Sequence, residues 1–329
     1  MTDVPDIEAA YQALRDGAAA RPLGRDVVRV AGPDAAPYLQ GQLSQEVEGL
    51  EEGAARESLI LSPQGRVDAY VRVARLGPEE FVLDTEGGFG PAVVSRLERF
   101  RLRTKVDIDG LDWVCVGVRG PESPGTVTGA PVVRIAVAWP GLAGVDLLGP
   151  GPGRGGTPFV ADDVTVCPPE AWEAARIEAG EPVLGREIDE RTIAAEVGLV
   201  ERTVSFTKGC FTGQELVARL DARGSKVARR LRGVVVEAGG GGLADAARLR
   251  GASVRTAEGA HGGADGEEGG REAGRLTSVA WSPGLGAGVG LAVLHRSVNP
   301  PEPVVLRPDG ADGRSVRAEA RTLPLKPGG

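Results

Sequence analysis

Short apolar segments separated by turn residues recur through most of this 329-residue chain, and they indicate a protein rich in β-strands. The clearest pair, Leu59–Leu61 and Val67–Val73, flanks Ser62-Pro63-Gln64-Gly65, whose composition is typical of a turn. In the second segment apolar and polar residues alternate, as in a strand with one face in the core and one polar face. We therefore predict a β-hairpin here. Other strands are predicted at Val27–Val30, Phe81–Leu83, Trp113–Val118 and Val132–Val137.

Helical patterns are fewer, and two of them are well delimited. Gly90-Pro91 opens a segment whose apolar residues recur at spacings of four and three, which predicts a helix with one buried stripe. A second helix is predicted from Pro168-Pro169 to Ala179, because Gly180 and a nearby proline provide the usual stop signals. A shorter helix is predicted after Gly32-Pro33-Asp34.

Beyond Gly224 the chain changes to short β-type segments between glycine-rich loops, the pattern of a small barrel or sandwich. These segments are Leu231–Val236, Arg275–Ala280, Val289–Leu294 and Pro303–Arg307. We expect flexible loops at 238–242 and 259–270, since their composition cannot bury enough apolar surface to offset the entropy of ordering.

The composition limits the functions open to the chain. A net charge of −8 and a pI near 5.1 disfavour a general nucleic-acid binder, because affinity for phosphate backbones needs a basic surface. Thr2–Asp16 is acidic and polar, and no later run approaches the roughly 20 apolar residues that span a bilayer. We expect a soluble cytoplasmic protein that has no direct nucleic-acid or membrane partner.

The cysteines and histidines exclude several kinds of site. Cys115, Cys167 and Cys210 are odd in number and widely spaced, so they predict neither a disulfide framework nor a CxxC metal site. His261 and His295 are too few for a histidine-based metal centre or a Ser-His-Asp hydrolase. We therefore predict no metal site. We expect Cys115 to be a core residue, and Cys167 is a weaker candidate thiol than Cys210.

The stretch from Ser205 to Arg219 carries the strongest chemical signal. Thr212 and Glu215 have the spacing of a capping box, which would place Cys210 just outside a helix N-terminus. The helix dipole and neighbouring Lys208 would favour the thiolate there. A small buried apolar residue in a turn is the alternative interpretation of this cysteine, and geometry alone does not choose between them.

The same stretch closely resembles the signature of the YgfZ family, a lysine-glycine-cysteine-aromatic-x-glycine-glutamine-glutamate motif followed by an arginine. Lys208 opens the motif and Arg219 closes it, and Phe211 stands where tyrosine is usual. Other segments are also similar to that family and to the related aminomethyltransferases of glycine cleavage. They are Gly32–Asp34 through Gln40–Leu43, Ser62–Arg66, Arg176–Gly180, and Gly274–Ser278 with Leu291-Ala292. The glycine-rich insertions fit the resemblance least.

This resemblance implies an α+β fold with two α/β folate-binding lobes and a C-terminal β-barrel. Residues 1–226 would form the lobes, divided near 110–160, and residues 227–329 the barrel. The implied cofactor is tetrahydrofolate or another reduced folate. The implied role is assembly or repair of iron–sulfur cluster enzymes, with those enzymes or cluster-assembly proteins as partners.

The resemblance also implies roles for individual residues in the signature. Cys210 is the functional thiol, and Lys208 acts with it. Gln214, Glu215 and Arg219 are expected to support the site and the cofactor, although pure helix capping explains Glu215 at least as well. We expect the sulfur to stand at the mouth of a pterin pocket bordered by the helix that ends at residues 176–180.

That helix supplies two further candidates. Glu178 opposes the helix dipole in the last turn, an arrangement that a sequence rarely gains from, and the corresponding glutamate of related aminomethyltransferases hydrogen-bonds the pterin ring. Trp172 could stack on a pterin or aminobenzoyl ring, although spacing alone slightly favours a core anchor. Gln42 is expected to line the same cavity, or to be a satisfied polar residue after a helix.

The hairpin decides between two enzymatic interpretations. Aminomethyltransferases place paired aspartates shortly after the hairpin glycine, whereas the aligned positions here are Ala69 and Tyr70. The nearest acid, Asp68, is one residue early, which in a strand reverses the face from that of Ala69. A folate-dependent aminomethyl or one-carbon transferase is therefore the disfavoured alternative. A non-catalytic docking scaffold is a third hypothesis.

Overall fold

The structure is a computed structural model, and it describes residues 6–151, 156–222, 224, 226–237, 246–257, 270–309 and 314–326. The predicted loop at 238–242, all but the last residue of 259–270 and His261 therefore lie outside the described residues. No helix in the described ranges is both long and apolar enough to cross a membrane.

The predicted hairpin lies in the first of two five-stranded sheets. The strands are β2 (Arg25–Ala31), β3 (Ala55–Leu61), β4 (Val67–Gly77), β5 (Glu80–Glu86) and β6 (Asp107–Leu111), in the order β3-β4-β5-β2-β6. Helices α2 (Ala35–Gln42) and α3 (Gly90–Arg99) share one apolar cluster with this sheet. The Tyr38 hydroxyl donates to the Leu97 carbonyl at 2.5 Å and ties the two helices together.

The second sheet takes its strands from two distant parts of the chain. They are β1 (Ala19–Leu23), β7 (Trp113–Arg119), β8 (Val133–Trp139), β9 (Leu142–Pro150) and β10 (Thr165–Val166), in the order β10-β1-β7-β9-β8. Strand β1 precedes the whole first sheet in sequence, yet it pairs with β7 and β10. The two sheets are thus interleaved along the chain, which the predicted division near 110–160 does not describe.

The C-terminal strands close into a barrel, which decides between the two predicted architectures. The strands are β11 (Arg229–Val236), β12 (Ser253–Thr256), β13 (Glu272–Ser282), β14 (Ala287–His295), β15 (Glu302–Arg307) and β16 (Val316–Arg321), in the order β11-β14-β13-β12-β15-β16. The described residues thus confirm the α+β class, with two mixed α/β units and a small barrel. Strands β12 and β16 were not among the predicted segments.

Helix α4 (Pro169–Ala179) lies between the second sheet, the barrel and helix α1 (Ile7–Asp16). Four of its residues are alanines, whose small side chains let β13 and α1 approach closely. The helix ends as predicted, because Gly180 adopts φ +80° and caps it. Two short helices, α5 (Val200–Thr203) and α6 (Gln214–Ala222), follow it.

A chain of buried charges joins the two sheets. Arg25 contacts Asp84, Asp84 contacts Arg72, Arg72 contacts Asp146, and Asp146 accepts a 2.6 Å bond from Arg119. The first three residues belong to the first sheet and the last two to the second. Burial alone would raise the pKa of each aspartate, but the flanking guanidinium groups outweigh it and lower both values. We call these five residues the charge ladder.

Loss of one carboxylate from the charge ladder should destabilise the fold and change the dependence of its stability on pH. Asp146→Asn leaves two buried guanidinium groups without their shared carboxylate, so we expect a loss of about 3–5 kcal/mol in the free energy of unfolding at pH 7. Because the pKa of Asp146 is lowered in the folded state, its contribution is complete well above the unfolded pKa near ~3.9 and is lost progressively as pH falls through and below that value. Urea denaturation at pH 7 and at about pH 3 measures both effects.

The matched control is Asp109→Asn, whose carboxylate forms an exposed 3.7 Å pair with Arg29. It should change stability by less than about 1 kcal/mol at either pH. The role of the ladder would be contradicted if both variants lost the same free energy of unfolding. It would also be contradicted if the difference in unfolding free energy between wild type and Asp146→Asn were the same at both pH values.

Candidate functional site

A cavity of about 810 Å³ opens where the two sheets, helix α4 and the barrel meet. Four residues of the charge ladder, Arg25, Arg72, Arg119 and Asp146, form its charged wall, and α4 and the barrel line other parts of it. Its polar and aromatic lining includes Arg21, Arg25, Glu57, Tyr70, Arg72, Arg119, Trp139, Asp146, Trp172, Glu173, Arg176, Glu181, Arg186 and Arg250. Its volume is that of a pocket for a drug-sized ligand.

Two tryptophans and an arginine form one end of the cavity. Trp139 and Trp172 meet edge to face, with ring centroids 5.5 Å apart. The Arg119 guanidinium lies 4.5 Å and 4.9 Å from the two ring centroids, and its Nε has no hydrogen-bond partner among the described residues. Cation–π attraction therefore holds the three side chains together and fixes this wall in shape.

Carboxylates held by arginine stand on another part of the wall. Arg202 donates two bonds to Glu181, at 2.8 Å and 2.5 Å, and its Nε lies 2.9 Å from Glu57. Burial raises the pKa of Glu57, and nearby Glu181 adds to this, while Arg202 and a hydrogen bond from Tyr70 lower it. Burial, followed by the Glu57 charge, likewise raises the pKa of Tyr70. The pair offers a carboxylate and a hydroxyl to a polar ligand.

Of the candidates on α4, only Trp172 lines the cavity. It is 7% exposed and belongs to an apolar cluster with Ala171 and Ala175, so it is a core anchor whose edge reaches the cavity. Glu178 faces away from it.

The Glu178 carboxylate accepts hydrogen bonds from Tyr11 at 2.7 Å, from Ser282 at 2.5 Å and from Arg15. These partners tie α4 to α1 and to the barrel. Its oxygens are thus engaged on the far side of the helix, and Glu178 is not among the residues that line the cavity. That Glu178 binds a pterin stays a prediction.

The signature loop, Ser205–Gly213, packs on the segment that ends α2. Phe211 is 8% exposed and joins the first sheet's apolar cluster, whereas Cys210 is exposed. The Lys208 amine donates to the carbonyls of Gln40, Leu43 and Gln45 at 2.7, 2.7 and 2.8 Å. Burial lowers the pKa of Lys208 to about 8. Lys208 therefore holds the signature loop against residues 40–45, and its amine is occupied by these three hydrogen bonds. We call this contact the Lys208 clasp.

Cys210 and Lys208 do not line the central cavity, so the sulfur does not stand at its mouth as expected from the sequence. Gln42 is likewise outside the cavity, because its side chain accepts a 3.2 Å bond from Arg96 on α3. The structure therefore places the cavity and the thiol at separate locations.

The remaining signature residues lie at the start of α6. Glu215 forms a salt bridge with Arg219 one turn later, and both side chains are more than half exposed. The Gln214 side chain accepts a 3.4 Å bond from the Phe211 N–H. Glu215 therefore forms a surface ion pair, and none of Gln214, Glu215 and Arg219 lines the cavity. The capping box of Thr212 with Glu215 stays a prediction.

Two glycines explain the close contact between the hairpin turn and the signature. Gly65 has φ +72° and Gly213 has φ +81°, conformations that favour glycine. A Cβ on Gly213 would lie 2.5 Å from the Ser62 carbonyl oxygen, and a Cβ on Gly65 would lie 2.7 Å from the Leu216 Cβ. Three of the segments that carry the family resemblance thus meet at one surface: residues 40–43, the hairpin turn 62–66 and the signature.

Strand β4, the second strand of the hairpin, supplies no carboxylate to the cavity. Strand β4 contributes Tyr70 and Arg72, while Ala69 is buried in the core. Asp68 occupies a β-bulge, because Ile60 pairs with Ala69 and Leu61 pairs with Val67. Its carboxylate lies 3.5 Å from Arg96, on the side of α3. The argument from the sequence against paired aspartates here agrees with this geometry.

Sequence reasoning missed most of the residues that form the cavity. Arg72, Arg119 and Asp146 were not candidates, because single polar residues in alternating strands normally indicate a solvated face. Arg119 lies at the end of the predicted strand Trp113–Val118, and only its burial against two distant tryptophans identifies it.

Replacement of the clasp should loosen the signature loop. Lys208→Met removes three hydrogen bonds to carbonyls of the 40–45 segment, so we expect a loss of about 2 kcal/mol or more in unfolding free energy. We also expect faster amide hydrogen exchange at residues 205–213. Lys326→Met, at an exposed lysine, is the control and should change neither. Unchanged exchange in Lys208→Met would contradict the clasp.

Comparisons with known proteins agree on the scaffold. No family model matches the chain. An uncharacterized protein of Haemophilus influenzae is 32% identical over 201 residues, which are 60% of this chain and 67% of that protein. The tRNA-modifying protein YgfZ of Pectobacterium carotovorum is 26% identical, over 60% of this chain and 64% of its own length. The mouse mitochondrial iron–sulfur cluster assembly factor IBA57 is 30% identical, over 60% of each chain.

The aligned part thus spans under two thirds of the named relatives. Among solved structures, the glycine cleavage system aminomethyltransferase T of Bartonella henselae matches with a TM-score of 0.74 and 18% identity, over 97% of this chain and 89% of that one. This match shows a shared fold. The chain is thus similar in sequence to proteins named YgfZ and IBA57, in agreement with the resemblance of its signature, and it has the fold of the glycine-cleavage aminomethyltransferase.

Proposed function

We propose that this chain binds a reduced folate, tetrahydrofolate or a close relative, in the central cavity and supports the assembly or repair of iron–sulfur cluster enzymes. The observation that carries the proposal is the cavity of about 810 Å³ at the junction of both sheets, α4 and the barrel. The iron–sulfur part rests on likeness to a relative named as a cluster assembly factor and on the exposed signature thiol.

The chemistry of the cavity wall fits a folate. A pterin is a flat ring with N–H donors, and it would find aromatic edges at Trp139 and Trp172 and a carboxylate at Glu57. The glutamate tail of a folate carries carboxylates, for which Arg21 and Arg250 offer positive charge. A bound reduced folate would supply a carrier for one-carbon units.

The residues of this chain would bind and orient such a ligand. Arg202 holds Glu57 in place, and Tyr70 donates to the same carboxylate. The Arg119–Trp139–Trp172 group excludes water from one end of the cavity. Strand β4 offers Tyr70 where the aminomethyltransferases have an aspartate, which disfavours aminomethyl transfer. We propose a binding role without that reaction.

Cys210 is proposed as the functional thiol, and its exposure directs it to a partner rather than to the cavity. Lys208 and Phe211 hold the loop on either side of it, which fixes the position of the sulfur. Iron–sulfur enzymes or cluster-assembly proteins are the proposed partners.

Titration calorimetry with tetrahydrofolate tests the cavity. Glu57→Gln keeps the size of the side chain but removes its charge, so we expect affinity to fall on the order of tenfold or more, as for loss of a hydrogen bond to a charged group. Glu215→Gln, at an exposed glutamate outside the cavity, should bind as the wild type does. Glu178→Gln should lower thermal stability and leave affinity nearly unchanged, because its partners are Tyr11, Arg15 and Ser282.

No binding by the wild type would reject the folate proposal, and a successful pull-down of cluster-assembly proteins in that case would favour the docking scaffold. A loss of affinity in Glu178→Gln with an intact melting temperature would support the role that family resemblance implies for it.

The thiol is tested in cells and by alkylation. In a strain that lacks its own homologue, Cys210→Ala should fail to restore the activity of cluster-dependent enzymes, whereas Cys167→Ala should restore it. In the native protein, iodoacetamide should modify Cys210 first. Burial raises the pKa of Cys167 to about 12 and also raises that of Cys115, so these thiols should react only after unfolding. Full rescue by Cys210→Ala would reject the role of the sulfur.

A further inference from the structure

Helix α3 leads into a strongly basic segment at residues 96–105, which we call the basic segment. It holds five basic side chains and one acidic side chain, in a chain whose net charge is −8. The basic residues are Arg96, Arg99, Arg101, Arg103 and Lys105, and the acid is Glu98. Within the described residues Arg101 pairs with Glu98 at 3.0 Å, whereas exposed Arg99, Arg103 and Lys105 form no ion pair. Positive charge is thus left uncompensated at one place on an acidic protein.

Two apolar side chains stand among these charges. Leu102 is 82% exposed, the largest fraction for any large apolar residue that the structure describes, and Phe100 is exposed as well. The Arg96 guanidinium lies 3.9 Å from the centroid of the Phe100 ring and holds it by cation–π attraction. A single exposed apolar residue is common, but an aromatic and an aliphatic side chain framed by arginines have the composition that protein interfaces favour.

The basic segment is fixed in shape by the rest of the fold. The backbone N–H of Lys105 donates to the Asp34 carboxylate at 2.7 Å, and the Arg101 guanidinium donates to the Val106 carbonyl at 3.0 Å. Between these two anchors Arg103 adopts φ +61°, a left-handed conformation that residues other than glycine seldom adopt. Strain of this kind persists only where the surrounding structure imposes it, and it is concentrated at binding sites. A surface that is already ordered loses little entropy when a partner binds.

The basic segment also borders the signature loop. The Arg96 guanidinium that covers Phe100 donates to the Leu61 carbonyl at 3.3 Å. Gly213 of the signature packs on the same residue, since a Cβ on Gly213 would lie 2.8 Å from the Leu61 Cβ. A molecule that covers the basic segment therefore lies beside the loop that carries Cys210.

We propose that the basic segment binds a partner protein whose surface presents carboxylates around an apolar residue. The arginines pair with the carboxylates, and Leu102 and Phe100 contact the apolar side chain. This inference rests on the proposed function, because it gives the chemistry of the partner that meets Cys210. Guanidinium groups bind carboxylates through paired hydrogen bonds, which fix the orientation of the partner.

A nucleic acid fits the basic segment less well than an acidic protein does. The net charge of −8 opposes the approach of a polyanion, and an exposed leucine contributes nothing to phosphate binding. Arginine and aromatic residues are, in contrast, the side chains that contribute most to protein interfaces.

A synthetic peptide tests the surface directly. The probe is a short fluorescein-labelled peptide of glutamates around one leucine and one phenylalanine, and its matched control has glutamine in place of every glutamate. Fluorescence anisotropy should show saturable binding of the acidic peptide to the full chain. Binding should weaken as sodium chloride is added, because salt screens exposed charges. The glutamine peptide should bind more weakly than the acidic one.

Two variants separate the charge from the apolar contact. Arg103→Gly removes a charge at a left-handed position that suits glycine, so it should keep the melting temperature and weaken peptide binding by about threefold or more. Leu102→Ser should weaken binding on the order of tenfold, through loss of a buried apolar side chain. Arg307→Gln, at an exposed arginine of β15, is the control and should bind as the wild type does.

The proposal is overturned if the acidic peptide does not bind, or if Arg103→Gly and Leu102→Ser both bind it as the wild type does. It is also overturned if another occupant accounts for the surface. The evidence for another occupant would be tighter binding of an RNA oligonucleotide or of phosphatidylserine vesicles, or a dimer in sedimentation experiments, that these two variants abolish.

A cellular assay connects the surface with the proposed function. In the strain that lacks its own homologue, a variant with both Leu102→Ser and Arg103→Gly should restore less activity of cluster-dependent enzymes than the wild type, although it binds tetrahydrofolate equally well. Full restoration by this variant would overturn the docking role. If the wild type itself restores no activity, the proposed function is rejected, whereas the docking proposal is decided by the peptide measurements.

Discussion

The charge ladder decides how the two sheets of this protein face each other. Each aspartate is shared by two guanidinium groups, and the five side chains come from five different strands. Withdrawing such charges from water is expensive, so the ladder is favourable only where all contacts form together. If one sheet slid past the other, a buried charge would be left without its partner. Arg25, Arg72, Arg119 and Asp146 also line the central cavity, and the shape of that cavity therefore depends on the same contacts.

Helix α4 shows that a sequence motif can identify a residue without identifying the role of that residue. Two charged residues of this helix bind partners on opposite sides of it. Arg176 binds Glu173 and Glu187, whereas Glu178 binds α1 and the barrel. Two residues along a helix are about 200° apart, so a carboxylate and an arginine at this spacing cannot share one face. The cost of a carboxylate in the last turn, which the sequence analysis attributed to ligand binding, is met by Tyr11, Arg15 and Ser282. The functional interpretation of Glu178 lacked these distant partners.

The parts of the fold that were predictable depend on local chemistry. The hairpin turn, the stop at Gly180 and the β-rich C-terminal region follow from residues close in sequence, and the barrel's closure was one of two architectures left open. Arg72 was interpreted as part of a polar strand face, but that face lies under the second sheet and pairs with Asp146, 74 residues away. Family resemblance identified the fold and the signature surface. It did not reveal that the surface stands apart from the cavity, because separation is a property of the packed structure.

Strand β4 connects those two places. Its turn touches the signature through Gly65 and Leu216, and five residues later Tyr70 enters the cavity wall. Residues 67–70 pair with β3 around the bulge at Asp68, and from Val71 onward the strand pairs with β5 as well. The hairpin thus contacts the signature at its turn and the cavity along its strands, so the packing of one element positions both places, although neither Cys210 nor Lys208 lines the cavity.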